Sequence, residues 1–117
     1  MSRNICPVCN YNDLSEPPYN NFGDGSYEIC KCCGFQFGYS DYGKNGYKDK
    51  NILILRWRSM WIDGGFVWHS RATKPPLGWD GKKQIEEGNM YLSNEQKEQL
   101  HEYLMHYYKI ESKTLIE

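Results

Sequence analysis

Apolar residues recur at helical spacing in two stretches of the second half of the chain. In residues 51–63 they fall at i, i+4, i+7 and i+8, as one face of a helix requires. The residues of this face are Leu53, Trp57, Met60 and Trp61, and the neighbouring Ile52, Ile54 and Ile62 widen it. Gly64-Gly65 supplies the helix end. A face this wide predicts a helix that is packed between two other parts of the protein.

The second apolar stripe follows a helix start signal at Ser93. Ser93 is the predicted N-cap, and Gln96 three positions later completes a capping box. The stripe consists of Leu100, Tyr103, Leu104, Tyr107 and Tyr108. Residues Lys82 to Glu87 are predicted to form one or two further helical turns, which end at Gly88. At the end of the chain, Glu111 to Glu117 is expected to fray.

The first half of the chain is rich in turn residues and alternates over one short segment. Phe35, Phe37 and Tyr39 alternate with polar or small residues, which predicts a strand with three rings on one face. Ser26 to Ile29 predicts the partner strand of a β-hairpin. We expect the rings to cover a buried site and to give a small module its core.

Two Cys-x-x-Cys pairs belong to this first half. The first pair is Cys6 and Cys9, and the second is Cys30 and Cys33. Each pair is followed by asparagine or glycine, which tolerate a positive φ, and then by an aromatic ring. Two such turns at this separation are typical of a tetrahedral metal site. The sequence therefore predicts these four cysteines as metal ligands.

The fifth cysteine, Cys32, aligns with Val8 when the two motifs are superimposed. We expect it to be a small apolar side chain on the turn rather than a redox group. A ligand exchange between Cys32 and Cys33 is an alternative, although only Cys33 is followed by glycine. Four thiolates suit structural Zn²⁺. Iron in the same cage, as in a rubredoxin-like electron carrier, is the alternative metal.

Composition narrows the class of protein. The 117 residues fit one domain, and their formal net charge of −1 supplies no global field that attracts nucleic acid or acidic membrane. No apolar run follows Met1, and no stretch has the length of a membrane span, so we expect neither a signal peptide nor a membrane segment. Five cysteines without a secretory signal favour a cytoplasmic metal-binding protein over a disulfide scaffold.

Few residues outside the cysteines have candidate chemistry. His69 could be a polar contact, a metal ligand or a general base, with Asp63 or Asp80 as its partner, but we expect a structural role. Arg56 and Arg58 are two apart on a helix and point in different directions, which favours solvated charge or ion pairing over phosphate binding. The sequence predicts no catalytic residue and no small-molecule substrate.

The cysteine motifs resemble those of the small bacterial cysteine-rich zinc-ribbon proteins named for a Cys-Pro-Cys-Cys (CPCC) motif. The segments that carry the resemblance are Cys6-Pro7-Val8-Cys9 and Tyr27-Glu28-Ile29-Cys30-Lys31-Cys32-Cys33-Gly34-Phe35. Val8 stands where that family has a third cysteine. Trp61 to Gly65 and Pro75 to Trp79 look like a C-terminal extension of some such proteins. The resemblance implies a structural zinc, and some members are thought to be immunity or partner-binding proteins.

These patterns predict an α+β protein. Residues 1–42 form a zinc ribbon, in which β-hairpins carry the two Cys-x-x-Cys knuckles, and residues 43–117 form a helical and aromatic extension with two C-terminal helices packed on it. A ribbon this short buries too little apolar surface to be stable alone, and metal coordination can supply about 10 kcal/mol or more of folding free energy.

The predicted function is a protein-interaction module, with an immunity or regulatory partner, that uses exposed tryptophan and tyrosine rings. Trp57, Trp61 and Trp79 are the rings whose substitution by alanine would test this prediction. Binding of nucleic acid through the ribbon is the alternative. It is less favoured because the loop between the knuckles has acidic residues and no lysine or arginine.

Overall fold

A computed structural model describes residues 4–109 of the chain. In chain order, a 3₁₀ turn at Tyr47–Asp49 leads directly into helix α1 (Lys50–Asp63), which is followed by α2 (Gly81–Glu87) and α3 (Asn94–Tyr107). All three helices lie in stretches where the sequence predicts helix. Residues 1–3 and the expected frayed end, Glu111 to Glu117, lie outside the described residues.

The first half of the structure contains little β-structure. Between residues 4 and 109, strand pairing is confined to isolated bridges, of which Ile29–Gln36 flanks the second cysteine pair. The backbone turns at both ends of the predicted hairpin, because Tyr27 has φ +66° and Gly38 has φ +98°. Neither value is compatible with an extended strand. The structure therefore has three helices and little strand, and residues 4–109 show no clear β-hairpin ribbon of the kind that the sequence predicts.

The predicted row of three rings also ends at Gly38. Phe35 and Phe37 are fully buried, as expected, but Tyr39 is 72% exposed. Tyr39 donates its backbone N–H to the Gln36 carbonyl in a turn, so the alternation of a strand is lost after Phe37. The prediction that Tyr39 covers the buried site is wrong.

Helix α1 buries a face that differs from the predicted one. Its buried residues are Leu53, Ile54, Arg58 and Trp61. Met60, which the spacing places on the apolar face, is 61% exposed. The buried face is instead centred near Arg58. The guanidinium of this residue is hydrogen-bonded to backbone carbonyls in the interior, as described below.

Helix α3 begins and packs as the sequence predicts. The Ser93 hydroxyl accepts from the Gln96 backbone N–H, and the Gln96 side chain accepts from the Ser93 N–H, which completes the capping box. Leu100 and Leu104 are the buried residues of the stripe. None of the helices in residues 4–109 is both long enough and apolar enough to cross a membrane.

A polar contact fixes α3 to the start of α1. The Tyr103 hydroxyl donates to the Asp49 carboxylate at 2.8 Å, and the Asn45 backbone N–H donates to the same oxygen at 2.9 Å. Burial raises the pKa of Asp49, but these hydrogen bonds outweigh burial and hold the pKa below its ordinary value. The contact is therefore strongest when Asp49 is ionised.

The four tryptophans lie in or against the core. Trp57 packs edge-on against Phe35, and Trp79 lies between Trp61 and Trp68. Each indole N–H has an acceptor; for example, Trp61 donates to the Val67 carbonyl at 2.8 Å. Buried tryptophan with a satisfied N–H is a core residue. Of the three rings that the sequence proposes for a binding surface, Trp61 is buried, and Trp57 and Trp79 are half-buried against the core.

Candidate metal centre

The first Cys-x-x-Cys pair forms a tight backbone turn. Cys6 donates its N–H to the Tyr11 carbonyl at 2.7 Å and accepts at its own carbonyl from Asn10 at 3.0 Å. Asn10 has φ +71°, as its position after the second cysteine predicts. The Val8 N–H points at the Cys6 sulfur, with an N···S distance of 3.4 Å. The turn therefore places the Val8 backbone N–H where it can donate a hydrogen bond to the Cys6 sulfur.

The second pair repeats the same pattern. Cys30 donates its N–H to the Phe35 carbonyl at 2.9 Å and accepts from Gly34 at 2.8 Å. Gly34 has φ +84° and also lies against His69, since a Cβ at Gly34 would be 2.6 Å from the imidazole Nδ1. Glycine is thus favoured here both by backbone conformation and by the space that His69 leaves.

The two turns bring together the four cysteines that the sequence predicts as ligands. Their sulfurs all lie within 4.8 Å of one another. Cys6 and Cys33 are 3.9 Å apart, and Cys9 and Cys30 are 3.7 Å apart. Four sulfurs placed tetrahedrally at about 2.3 Å from one ion would be about 3.8 Å from each other. The cluster is therefore within metal-binding distance, and its size fits one ion.

All four thiols are buried, and burial shapes their electrostatics. The exposed fraction is 0% for Cys6, Cys9 and Cys30 and 5% for Cys33. Burial raises the pKa of the Cys9 and Cys33 thiols, whereas hydrogen bonds from neighbouring thiols lower the pKa of Cys30. Four thiolates cannot coexist in such a site without a compensating cation. The donor set thus fits a metal ion that prefers sulfur.

Cys32 lies outside this cluster although it is fully buried. Its sulfur accepts a hydrogen bond from Gln84 Nε2 at 3.4 Å, and its carbonyl accepts from the His69 backbone N–H at 3.0 Å. The side chains of Cys32 and Cys33 therefore have different surroundings, although the two residues are adjacent in the chain. This placement agrees with the alignment of Cys32 with Val8.

Helix α2 contacts the first turn through Gln84, which the sequence analysis did not single out. Gln84 Nε2 donates to the Cys9 carbonyl at 2.8 Å, and the Gln84 carbonyl accepts from Asn10 Nδ2 at 2.9 Å. Its side-chain oxygen accepts from Trp79 Nε1 at 2.9 Å. No sequence signal identifies this residue, because its partners lie far away in the chain.

Helix α1 contacts both turns through two adjacent residues. Trp57 Nε1 donates to the Cys33 carbonyl at 2.8 Å. Arg58 donates to the first turn, from Nε to the Val8 carbonyl at 2.7 Å and from Nη2 to the Pro7 carbonyl at 2.8 Å. The prediction of a solvated or ion-paired Arg58 is wrong, because the interior offers backbone acceptors. Arg56, by contrast, lies over the Tyr108 ring at 4.9 Å.

His69 is not one of the four clustered residues. Its side chain is exposed, and no hydrogen bond joins it to Asp63 or Asp80. Asp80 instead caps α2 by accepting from the Lys83 N–H at 3.1 Å. The only catalytic pairing that the sequence offered is thus not assembled within residues 4–109.

Comparison with known proteins finds relatives that are themselves uncharacterised. No protein-family model and no solved structure matches the chain. Two proteins of Bacillus subtilis (strain 168) are similar: the uncharacterised protein YozI is 42% identical over 69 residues (51% of this chain, 57% of YozI), and the uncharacterised protein YoaQ is 43% identical over 70 residues (53% of this chain, 59% of YoaQ). The chain spans less than two thirds of the length of either relative.

Proposed function

We propose that Cys6, Cys9, Cys30 and Cys33 bind one Zn²⁺ ion with a structural role. The observation that carries this proposal is the convergence of four buried sulfurs at the spacing of a tetrahedral site. Four thiolates leave no coordination position for a substrate, which is typical of structural zinc. In this proposal the two turns form a zinc ribbon with minimal strands, and the ion fixes them to each other.

Metal analysis tests the proposal directly. We expect one equivalent of zinc per chain in protein purified without added metal, with no absorption in the visible range. Iron would occupy the same geometry, but ferric thiolate is coloured. Less than half an equivalent of any transition metal would contradict the proposal, and a coloured protein with one iron would replace the structural role by electron transfer.

We further propose that the metal-stabilised fold is a protein-interaction module of the cytoplasm. The exposed aromatic surface that supports this proposal is made of tyrosine rather than tryptophan. A groove of about 500 Å³ is lined by Tyr27, Gly38, Tyr39, Tyr42 and Tyr47. The four rings are between 54% and 72% exposed. Tyrosine presents a rigid ring and a hydroxyl at little conformational cost, which is why it is enriched where proteins bind each other.

Two contacts hold the groove in shape. The Tyr47 hydroxyl donates to the Gly38 carbonyl at 2.8 Å, and the Tyr42 and Tyr47 rings meet edge to face at 5.0 Å. Gly38 packs against Tyr27, since a Cβ at Gly38 would lie 3.2 Å from the Tyr27 ring. A preformed aromatic surface of this kind loses little entropy on binding.

Binding measurements test the interaction proposal. A partner would first be isolated with the wild-type chain from its native host, identified and purified. We expect the double substitution Tyr39→Ser and Tyr42→Ser to weaken its binding at least tenfold while the metal content is unchanged. Tyr91→Ser is the matched control, because Tyr91 is exposed but lies outside the groove. Equal binding by the double variant would contradict the proposed surface.

A further inference from the structure

Arg58 is a buried cation at the back of the candidate metal centre. Its exposed fraction is 9%, and its three hydrogen bonds within residues 4–109 all go to backbone carbonyls. The acceptors are Val8 at 2.7 Å, Pro7 at 2.8 Å and Met90 at 3.3 Å. Within residues 4–109 no carboxylate is bonded to the guanidinium. Its hydrogen-bonding capacity is thus used, but its charge is not neutralised by an acidic residue.

A charge buried in this way requires a negative partner. Burial of an unpaired ion costs several kcal/mol, and neutral carbonyls offset only part of that cost. Pro7 and Val8 are the two residues between Cys6 and Cys9, so the guanidinium is hydrogen-bonded to the backbone segment that joins these two cysteines. Burial lowers the pKa of Arg58, and the charges of Cys6 and Cys9 act in the opposite direction. The thiolates that flank the residues bound by Arg58, those of Cys6 and Cys9, are therefore its candidate partners.

The hydrogen bonds also connect Arg58 to a sulfur through one peptide group. The Pro7 carbonyl and the Val8 N–H belong to the same peptide unit. Arg58 Nη2 donates to the carbonyl end at 2.8 Å, and the N–H end points at the Cys6 sulfur at 3.4 Å. A donor at the carbonyl polarises the peptide and strengthens its N–H as a donor. Arg58 thus acts on the Cys6 sulfur in two ways: by electrostatic attraction and by polarising the peptide group between Pro7 and Val8.

We propose that Arg58 is the counter-ion of the metal–thiolate centre and tunes its sulfur ligands. This inference rests on the proposed metal site. Four thiolates and one divalent cation sum to two negative charges, and the guanidinium offsets one of them. Arg58 is a positioning residue, because it acts on the ion through the first turn. It strengthens metal binding and withdraws electron density from the sulfurs, as groups around a metal site commonly do.

Cobalt substitution tests the inference with a readout that fold stability alone does not move. Co²⁺ replaces Zn²⁺ in thiolate sites and gives a sulfur-to-metal charge-transfer band. In Arg58→Gln we expect this band to move to longer wavelength, because the sulfur electrons rise in energy when the positive charge is removed. Competition with a chelator should show a metal affinity about 10- to 100-fold lower, the usual effect of losing an outer-sphere partner.

Two further variants separate charge from packing. Arg58→Lys keeps the charge, so we expect its band to stay at the wild-type position and its affinity to fall less than that of Arg58→Gln. Leu104→Ala loosens α3 at a buried position that does not line the site, with an exposed fraction of 1%, and should leave the band position unchanged even where lower fold stability reduces the metal affinity.

The outcomes distinguish this inference from the metal proposal. A wild-type band and affinity in Arg58→Gln would overturn the role of Arg58 and leave the metal proposal standing. Absence of metal binding by the wild type would overturn both. If Arg58→Gln does not fold, Arg58→Lys decides: retention of the wild-type band and most of the affinity supports the counter-ion, and an affinity loss above 100-fold despite the retained charge assigns Arg58 to packing.

Discussion

Adjacent cysteines with different predicted roles allow a matched experiment. Cys32 and Cys33 are both buried, with exposed fractions of 0% and 5%, and both can be changed to serine by replacement of one atom. Only Cys33 belongs to the four-sulfur cluster. Comparison of Cys32→Ser with Cys33→Ser therefore isolates the contribution of ligation from the general cost of a buried hydroxyl.

The expected magnitudes follow from these positions. Burying a hydroxyl in place of a thiol costs about 1–3 kcal/mol, and at Cys32 the Gln84 amide still has a hydroxyl to which it can donate. Structural zinc contributes about 10–16 kcal/mol to folding, so one of four ligands accounts for about 2.5–4 kcal/mol if they contribute equally. Cys33→Ser should therefore lower the free energy of unfolding by about 3.5–7 kcal/mol, a large part of a typical total of about 5–15 kcal/mol.

The assay is circular dichroism with increasing chelator, together with metal analysis of both variants. We expect Cys32→Ser to keep one equivalent of metal and a transition close to that of the wild type. Cys33→Ser should lose metal and helical signal at a much lower chelator concentration. If Cys32→Ser were the more damaging change, or if the two variants behaved alike, the assignment of the four ligands would be refuted.

Three other predictions concern the framework around the centre. Leu104→Ala should lower the free energy of unfolding by about 2–5 kcal/mol, as a buried leucine requires, which denaturant titration of the metal-loaded protein would measure. The contact of Asp49 with Tyr103 should stabilise the fold above about pH 4, and this contribution should be lost as pH falls through the lowered pKa of Asp49. Asp49→Asn should flatten that part of the stability profile between pH 5 and 2; an unchanged profile would contradict the assignment. Gly34→Ala should cost at least about 1–2 kcal/mol from its positive φ, and more from the clash with His69. Addition of His69→Ala should recover only the clash, as measured by a double-mutant cycle.

The parts of the fold that local sequence determines were predictable. Cysteine spacing and the positive φ of Asn10 both reflect short-range geometry, and the four-sulfur cluster has the composition that they predict. The capping box at Ser93 is local for the same reason. Each of these signals lies within a few residues of the feature that it specifies.

The errors arise where distant parts of the chain decide the outcome. Arg58 lies inside although arginine usually prefers water, because two carbonyls about fifty residues earlier in the chain accept its hydrogen bonds. Met60 is consequently turned outward. Tyr39 is exposed because the backbone turns at Gly38, which alternation of side chains alone does not reveal. The burial of Trp61 and the partial burial of Trp57 and Trp79 depend on tertiary packing in the same way.

The hydrogen bonds from Arg58 of α1 and Gln84 of α2 to the first turn have a consequence for biosynthesis. The Pro7 and Cys9 carbonyls emerge from the ribosome 51 and 75 residues before their partners, Arg58 and Gln84. The four cysteines of a nascent chain can thus come together early, while the Pro7 and Cys9 carbonyls are still hydrogen-bonded to water. We expect metal captured at that stage to exchange readily and to become kinetically trapped only after translation has passed Gln84.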